Sequence, residues 1–263
     1  GAPAPIATLT ASDGTSWDEL GTSVAVSGDT IVAGAFHRFP QSGAPAEPGR
    51  VYVFHWDGVA WTEQAKLEAP DGVPNDAFGW SVALQGDTLF VGAPKAWVGS
   101  PLGSGAVYLF ERSAGVWSFS QKLTRSNDHT FGWSISLDGD TLAVGSNLAP
   151  NEHVAMYVRD QFGSWAFDAL LDPTDDAADS EFGNAVALRG VEVVIHPPAP
   201  SNHDQTPARF QDALIPRAPD NAIEHRCARI FKYAIKRPQS LDIGPIGIGH
   251  NGMMRSQFSR HAQ

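Results

Sequence analysis

Acidic side chains gather in the loops between the repeating segments of this 263-residue chain. The densest group lies around residue 175 and consists of five carboxylates: Asp172, Asp175, Asp176, Asp179 and Glu181. Calcium binds about six to eight oxygen ligands and favours flexible, carboxylate-rich loops. These five residues are therefore a candidate calcium site, although their order matches no established calcium-loop spacing. The alternative is a solvated loop in which Asp side chains stabilise turns.

A second set of chemically competent side chains lies near the C-terminal end: His196, His203, Asp204, His225, Cys227 and His250. Imidazole and thiolate groups serve as zinc ligands and as nucleophiles or bases. Their spacing matches no zinc pattern, and the chain carries neither Gly-x-Ser-x-Gly nor His-Glu-x-x-His. The sequence therefore assigns no catalytic residue to this segment.

A ten-residue phrase that begins Gly-x-Ser-Val/Ile and ends Gly-Asp-Thr recurs along the chain. Its copies start at Gly21, Gly79 and Gly132, and a weaker fourth copy starts at Gly183. A repeat every 50 to 60 residues or so is typical of architectures built from stacked, equivalent units.

The second copy shows what one unit contains. Trp80, Val82 and Leu84 alternate with small residues, as in a strand, and the Gly86-Asp87 turn leads into a return strand. Residues 106–110 and 116–123 read as a third and a fourth strand. Each unit is thus predicted to be a four-stranded antiparallel meander, which is the size of a propeller blade.

We therefore predict an all-β fold, a β-propeller with three clear blades and a divergent fourth. Because Trp80 and Trp133 share a face with Val82 and Ile135, we expect both rings in the core between blades. A ring that is incomplete and a ring that closes with four blades both remain open alternatives.

The repeat pattern fades after Gly190, which sets the predicted domain boundary. Residues 1–196 are expected to form the blades, and residues 197–263 a divergent tail. The tail is either a degenerate fourth blade with an insertion, in which 227–233 resembles a third strand, or an unrelated segment. Residues 201–263 carry nine Lys and Arg against five Asp and Glu, whereas residues 1–200 carry nine against 24.

The overall composition excludes several classes of partner. The net charge of −11 disfavours nucleic acid and anionic membrane surfaces. No apolar run is long enough to span a bilayer, so membrane insertion is not expected. Cys227 is the only cysteine, which rules out an internal disulfide.

The Phe-Gly pairs at 78–79, 131–132 and 182–183, with Gly-Ala-Pro at 92–94, resemble the FG-GAP repeat. The Gly-Asp-Thr turns and outer-strand tryptophans resemble its bacterial secreted subtype. The resemblance implies a propeller of the kind found in integrin α subunits, a secreted or cell-surface location, and binding to protein or glycan. Many members hold calcium in an Asp-x-Asp-x-Asp-Gly-x-x-Asp loop. That spacing is absent here, so the resemblance alone does not assign calcium.

The long loops at 36–48 and 94–103 differ between copies, and they contain Phe39 and Trp97. Loops on a rigid scaffold usually carry recognition, so we expect these two aromatic residues to contact a ligand. The preferred function is an extracellular or surface binding or adhesion module. The alternatives are a propeller-scaffold enzyme acting on polysaccharide and a truncated chain that self-associates through an open blade edge.

Overall fold

The computed structural model describes residues 7–15, 18–36, 47–96, 104–125, 128–148, 152–173, 182–190, 192–196 and 213–214. All secondary-structure elements within these ranges are β-strands, which confirms the predicted all-β class. The strands form four antiparallel sheets in chain order, as expected for propeller blades.

Blades 1 to 3 each contain four strands in sequential order. Blade 1 consists of β1 Val24–Ser27, β2 Thr30–Ala35, β3 Arg50–Trp56 and β4 Trp61–Leu67. Blade 2 consists of β5 Ser81–Gln85, β6 Thr88–Ala93, β7 Ala106–Ser113 and β8 Val116–Leu123. Blade 3 consists of β9 Ser134–Asp138, β10 Thr141–Ser146, β11 His153–Arg159 and β12 Trp165–Leu171.

Blade 4 is partial within the described residues. It contains β13 Ala185–Arg189, β14 Glu192–His196 and the two-residue β15 Ala213–Leu214. The short β15 pairs with Glu192 and Val193 of β14, and it lies inside the segment that the sequence suggests is a polar insertion. The predicted strand at 227–233 lies outside the described residues.

A glycine turn joins the first two strands of every blade, and in blades 1 to 3 this glycine is followed by Asp. Its glycine has a φ near +60° in all four copies, a conformation in which other residues are strained. Asp57-Gly58 between β3 and β4 is a pair whose sequence predicts a two-residue hairpin turn, but the turn observed is longer. Trp56 pairs with Trp61, so four residues form the loop, and the Asp57 carboxylate accepts hydrogen bonds from the Val59 and Ala60 amides at 2.8 Å.

Each blade has two faces, which we call leading and trailing. The leading face packs on the preceding blade and the trailing face on the following one. Between blades 1 and 2, Val32 and Val53 of the trailing face meet Leu89, Val91 and other residues of the next leading face in one buried cluster. Equivalent clusters join blades 2 and 3 and blades 3 and 4. The core is therefore a series of interfaces between blades, as repeat stacking requires.

A polar contact joins blades 1 to 3 each to the following blade, and it lies at the start of the first strand. The hydroxyls of Ser23, Ser81 and Ser134 each donate to the backbone carbonyl of the Phe-Gly glycine in the following blade, at 2.7 Å. A glycine on the adjacent second strand, such as Gly92, faces the same carbonyl. A Cβ there would lie well inside the 3.0 Å that real Cβ atoms respect. The repeated serine and glycine thus act as an interlock between blades.

Candidate functional site

Two kinds of connection meet at one end of the blades, which we call the loop rim. They are the links between second and third strands and the links between successive blades. The Phe78 amide donates to the Pro48 carbonyl at 2.8 Å, and the Phe131 amide donates to the Ser104 carbonyl at 3.2 Å. Because each bond joins the two kinds of link, the blade scaffold holds the long loops beside the links between blades.

Aromatic rings form a row along the loop rim. The ring centroids of Trp80 and Trp133 lie 4.4 Å apart across the boundary between blades 2 and 3. Phe36 of blade 1 contacts Trp80 edge to face at 4.9 Å. As predicted, the two tryptophans bridge blades. They lie at the rim rather than in the core, however, because both side chains are only half-buried.

Polar side chains continue this row toward blade 4. The indole N–H of Trp133 donates to Asn184 Oδ1 at 2.8 Å, and the Asn147 amide donates to the same oxygen at 3.2 Å. The Thr130 hydroxyl donates to Asn147 Oδ1 at 2.9 Å. Together the indoles and amides form a surface that offers π-faces for stacking and amide groups for hydrogen bonding.

The two predicted ligand-contact residues, Phe39 and Trp97, lie outside the described residues. Before the loop at 36–48, the last described residue is Phe36, which lies at the loop rim. Before the loop at 94–103 reaches Trp97, the last described residue is Ala96. The sequence interpretation missed the part played by Phe36. Its only signal was position, because Phe36 directly follows the second strand where the other copies have Pro94 or Asn147.

Asp71 and Asp13, in the segments that precede blades 2 and 1, accept hydrogen bonds from tyrosine and lysine side chains on the strands. Asp71 accepts from the Tyr108 hydroxyl at 2.9 Å and from Lys122 Nζ at 2.7 Å. Burial alone would raise the pKa of Asp71, but these two partners outweigh it and lower the pKa. Asp13 repeats the arrangement in blade 1, where Lys66 and Tyr52 lower its pKa.

Among the described residues, the closest approach to a catalytic arrangement is a buried pair at the loop rim. His153 Nε2 lies 2.8 Å from Asp128 Oδ2, and Arg125 Nε donates to the same oxygen at 2.9 Å. Asp76 is likewise buried in the link before blade 2, three positions rather than four before its Phe-Gly glycine, and it accepts the Val73 amide at 2.9 Å. Because a buried aspartate holds the link in both places, we favour a loop-stabilising role for Asp128.

An open cavity of about 410 Å³ lies at the outer boundary of blades 2 and 3. Lys122, Arg125, Tyr157 and Phe167 line it, and the Arg125 guanidinium lies 4.5 Å from the centre of the Phe167 ring. Both cations already pair with carboxylates, Lys122 with Asp71 and Arg125 with Asp128. The cavity therefore presents a neutralised surface.

Within the part of the chain that the structure describes, no three His, Cys, Asp or Glu side chains converge as metal ligands. The loop carboxylates Asp13 and Asp71 fit calcium poorly, because each already binds a lysine and a tyrosine. Of the five calcium candidates, Asp172 is exposed just after β12. Asp175, Asp176, Asp179 and Glu181 lie outside the described residues. Calcium at that loop stays a prediction, which titration with the ion can test.

No helix among the described residues is long and apolar enough to cross a membrane.

Comparison with known proteins supports the repeat assignment. The FG-GAP repeat family matches residues 5–54 and 61–110. Integrin alpha-2 of Mus musculus is 31% identical over 142 residues, which cover 48% of this chain. The matched region corresponds to 12% of that integrin, so the chain spans a small part of this relative. The first matched segment ends within β3, and the second runs from β4 of blade 1 into β7 of blade 2, so both lie within blades 1 and 2 and the links before them.

Proposed function

This chain is an FG-GAP repeat protein, and from that premise we propose an extracellular or cell-surface module that binds a protein or glycan through its loop rim. The observation that carries the proposal is the aromatic row of Phe36, Trp80 and Trp133. Two half-exposed indoles beside asparagine amides form a surface that core packing alone does not require.

The chemistry of the row suits recognition of a ligand with both apolar and hydroxyl groups. The two indole rings, whose planes are tilted by 46°, offer apolar ring surface that can pack on the face of a sugar ring or on aliphatic and aromatic side chains. Asn147 and Asn184 add donors and acceptors within the same surface. Because blade 2 and blade 3 hold these groups rigidly, little conformational entropy is lost on binding.

The comparisons support the class and the location of such a module. Similarity to an integrin α subunit favours a ligand-binding or adhesion role at the cell exterior. The net charge of −11 is compatible with protein and glycan ligands and disfavours polyanions. Within this proposal, Phe39 and Trp97 would extend the aromatic row along the two long loops.

A glycan array and a panel of purified extracellular proteins would test this function. We expect at least one specific ligand whose affinity falls tenfold or more in the Trp80→Ala/Trp133→Ala variant, since each buried aromatic contact contributes about 1 kcal/mol or more. The matched control is Phe162→Ala, which removes an 84% exposed aromatic ring from a hairpin at the opposite end of blade 3. Equal losses in both variants, or no ligand in either screen, would contradict the proposal.

Self-association through an open blade edge is a second candidate. The observation that favours it is that, within the part of the chain that the structure describes, β15 pairs with only two of the five residues in β14. An exposed strand edge can pair with a second chain. Light scattering over a range of concentrations tests this idea, and a constant monomer mass would contradict it.

A further inference from the structure

One position of the repeat varies among the blades, although the residues on either side of it are nearly constant. It directly follows the glycine that begins each repeat, and it is occupied by Thr22, Trp80, Trp133 and Asn184 in blades 1 to 4. The interlock between blades uses the residues on either side of it, so this side chain is not dictated by the interlock. Because the first strands of successive blades lie side by side, Trp80, Trp133 and Asn184 meet in one row at the loop rim.

The hydrogen bonds of Asn184 fix which way its amide group faces. The indole N–H of Trp133 can only donate, so the Asn184 atom that it meets at 2.8 Å must be Oδ1. The Asn147 amide donates to the same oxygen at 3.2 Å, and these two bonds use both of its lone pairs. Asn184 Nδ2 therefore faces away from both partners, and it carries two N–H groups.

The row consequently presents more free donors than free acceptors. Within the described part of the chain, no acceptor takes a hydrogen bond from Asn184 Nδ2 or Trp80 Nε1, and neither nitrogen is buried. Asn147 Nδ2 keeps one further N–H. On the acceptor side, Asn184 Oδ1 is fully used, and Asn147 Oδ1 already accepts the Thr130 hydroxyl at 2.9 Å. A ligand that lies on this row must therefore supply oxygen acceptors.

This imbalance distinguishes a glycan from a protein ligand. A peptide backbone carries an N–H donor for almost every carbonyl acceptor, and a donor that is buried without a partner costs free energy. A saccharide carries hydroxyl, ring and glycosidic oxygens that accept, and its hydroxyl hydrogens can rotate toward water. The faces of its rings can also lie on the indoles of Trp80 and Trp133. The row contains no charged side chain, and the net charge of −11 disfavours an anionic ligand.

From this arrangement of donors we propose that the ligand of the loop rim is a neutral oligosaccharide. Its oxygens accept from Asn184 Nδ2 and Trp80 Nε1 while a sugar ring lies against the indoles. Trp80 belongs to blade 2 and Asn184 to blade 4, so a ligand that contacts both must extend across Trp133 of blade 3. A chain of several sugars meets this requirement better than a single sugar. The inference rests on the proposed function and narrows its class of ligand.

Isothermal titration calorimetry of an isosteric variant tests the donor role of Asn184. The probes are neutral gluco-, manno-, galacto- and N-acetylgluco-oligosaccharides of one to six units. Asn184→Asp keeps the shape of the side chain and an oxygen for Trp133 and Asn147, but it replaces the Nδ2 donor with an acceptor. We expect at least one hexasaccharide to bind more tightly than its monosaccharide, and Asn184→Asp to weaken that binding about tenfold or more.

The matched control is Gln85→Glu, which makes the same amide-to-carboxylate change at the opposite end of blade 2. It keeps the oxygen that accepts the Gly139 amide, so it adds the same charge without touching the row. A second variant, Trp80→Phe, keeps an aromatic ring and removes only the N–H, and it should weaken binding severalfold. Circular dichroism confirms that all three variants are folded.

Equal affinities of Asn184→Asp and Gln85→Glu for the hexasaccharide would overturn the inference, and so would equal affinities of the hexasaccharide and its monosaccharide for the wild-type chain. If no saccharide binds but a purified extracellular protein does, and that binding is lost in Trp80→Ala/Trp133→Ala, the oligosaccharide inference fails while the proposed function stands. If neither class binds, both fail.

Discussion

At the junction of blades 2 and 3, Gly92 lies against the carbonyl of Gly132, which also accepts the Ser81 hydroxyl at 2.7 Å. Gly92 has no positive φ, so its backbone conformation alone does not require glycine. Glycine is required at this position because a Cβ would collide with the Gly132 carbonyl. The Gly-Ala of the repeat motif thus sets the spacing between blades, and the serine supplies the hydrogen bond made possible by that spacing.

We expect Gly92→Ala to lower the free energy of unfolding by about 3 kcal/mol, because the added Cβ must displace backbone in a packed junction. Gly86→Ala is the control. Gly86 has a φ of +57° and open space around its Cα, so alanine there should cost about 1 kcal/mol through backbone strain alone. Urea denaturation of both variants makes the comparison. A Gly92→Ala variant no less stable than Gly86→Ala would contradict the steric interlock.

Tyr108 and Tyr52 donate to Asp71 and Asp13, and these hydrogen bonds make the stability of the fold sensitive to alkaline pH. Burial raises the pKa of Tyr108 above its usual value, and the hydrogen bond to Asp71 raises it further. A group whose pKa is higher in the folded state stabilises the fold fully below its unfolded pKa, here about 10. That contribution is lost as the pH rises through the folded value.

Tyr108→Phe should therefore flatten the loss of stability above about pH 10. At neutral pH it should cost about 1 to 2 kcal/mol, because a hydrogen bond to a charged acceptor is removed. Urea denaturation as a function of pH measures both effects. Val116→Ala, a change at a 68% exposed position in the same blade, should leave the alkaline slope of the wild type intact. An unchanged slope in Tyr108→Phe would show that this hydroxyl is not the responsible group.

At the scale of the element, each blade depends on its neighbours for its core. Leu142 on β10 is fully buried in the cluster between blades 2 and 3. We expect Leu142→Ala to lower the free energy of unfolding by about 3 kcal/mol through lost burial and the cavity left behind. Leu148→Ala, at a position 49% exposed, should cost less than about 1 kcal/mol. Denaturant unfolding of both variants checks the difference, and similar losses would argue against a core between blades.

The sequence was sufficient to predict the strands and their order, because the alternation of apolar and small residues and the Gly-Asp turns are local signals. They did not predict the interlock, since Ser81 and Gly132 are about 50 residues apart and meet only through stacking. The four-residue loop at Asp57 was missed for a different reason. An Asp carboxylate can bind amides two and three residues ahead, which makes a longer turn as favourable as an Asp-Gly hairpin.

At the scale of the whole molecule, the core lies between blades and the proposed ligand surface lies at the loop rim. The aromatic row escaped the sequence interpretation because the alternation of Trp80 and Trp133 with core residues is the same for a buried ring and a rim ring. Only position along the chain distinguishes them, because each tryptophan directly precedes the first strand of its blade, beside the loops.

The central claim is that the repeats are equivalent sheets stacked in order, and far-UV circular dichroism of the Trp80–Trp133 pair tests it most directly. Indoles whose centroids lie 4.4 Å apart across a blade boundary should couple and give a bisignate band. The account predicts that Trp80→Phe and Trp133→Phe remove the same contribution to the spectrum, that Trp117→Phe leaves it in place, and that the Trp56–Trp61 pair, with centroids 5.7 Å apart, contributes equally in all three. Difference spectra from Trp80→Phe and Trp133→Phe that lack this band would mean that blades 2 and 3 are not neighbours, and would contradict the account.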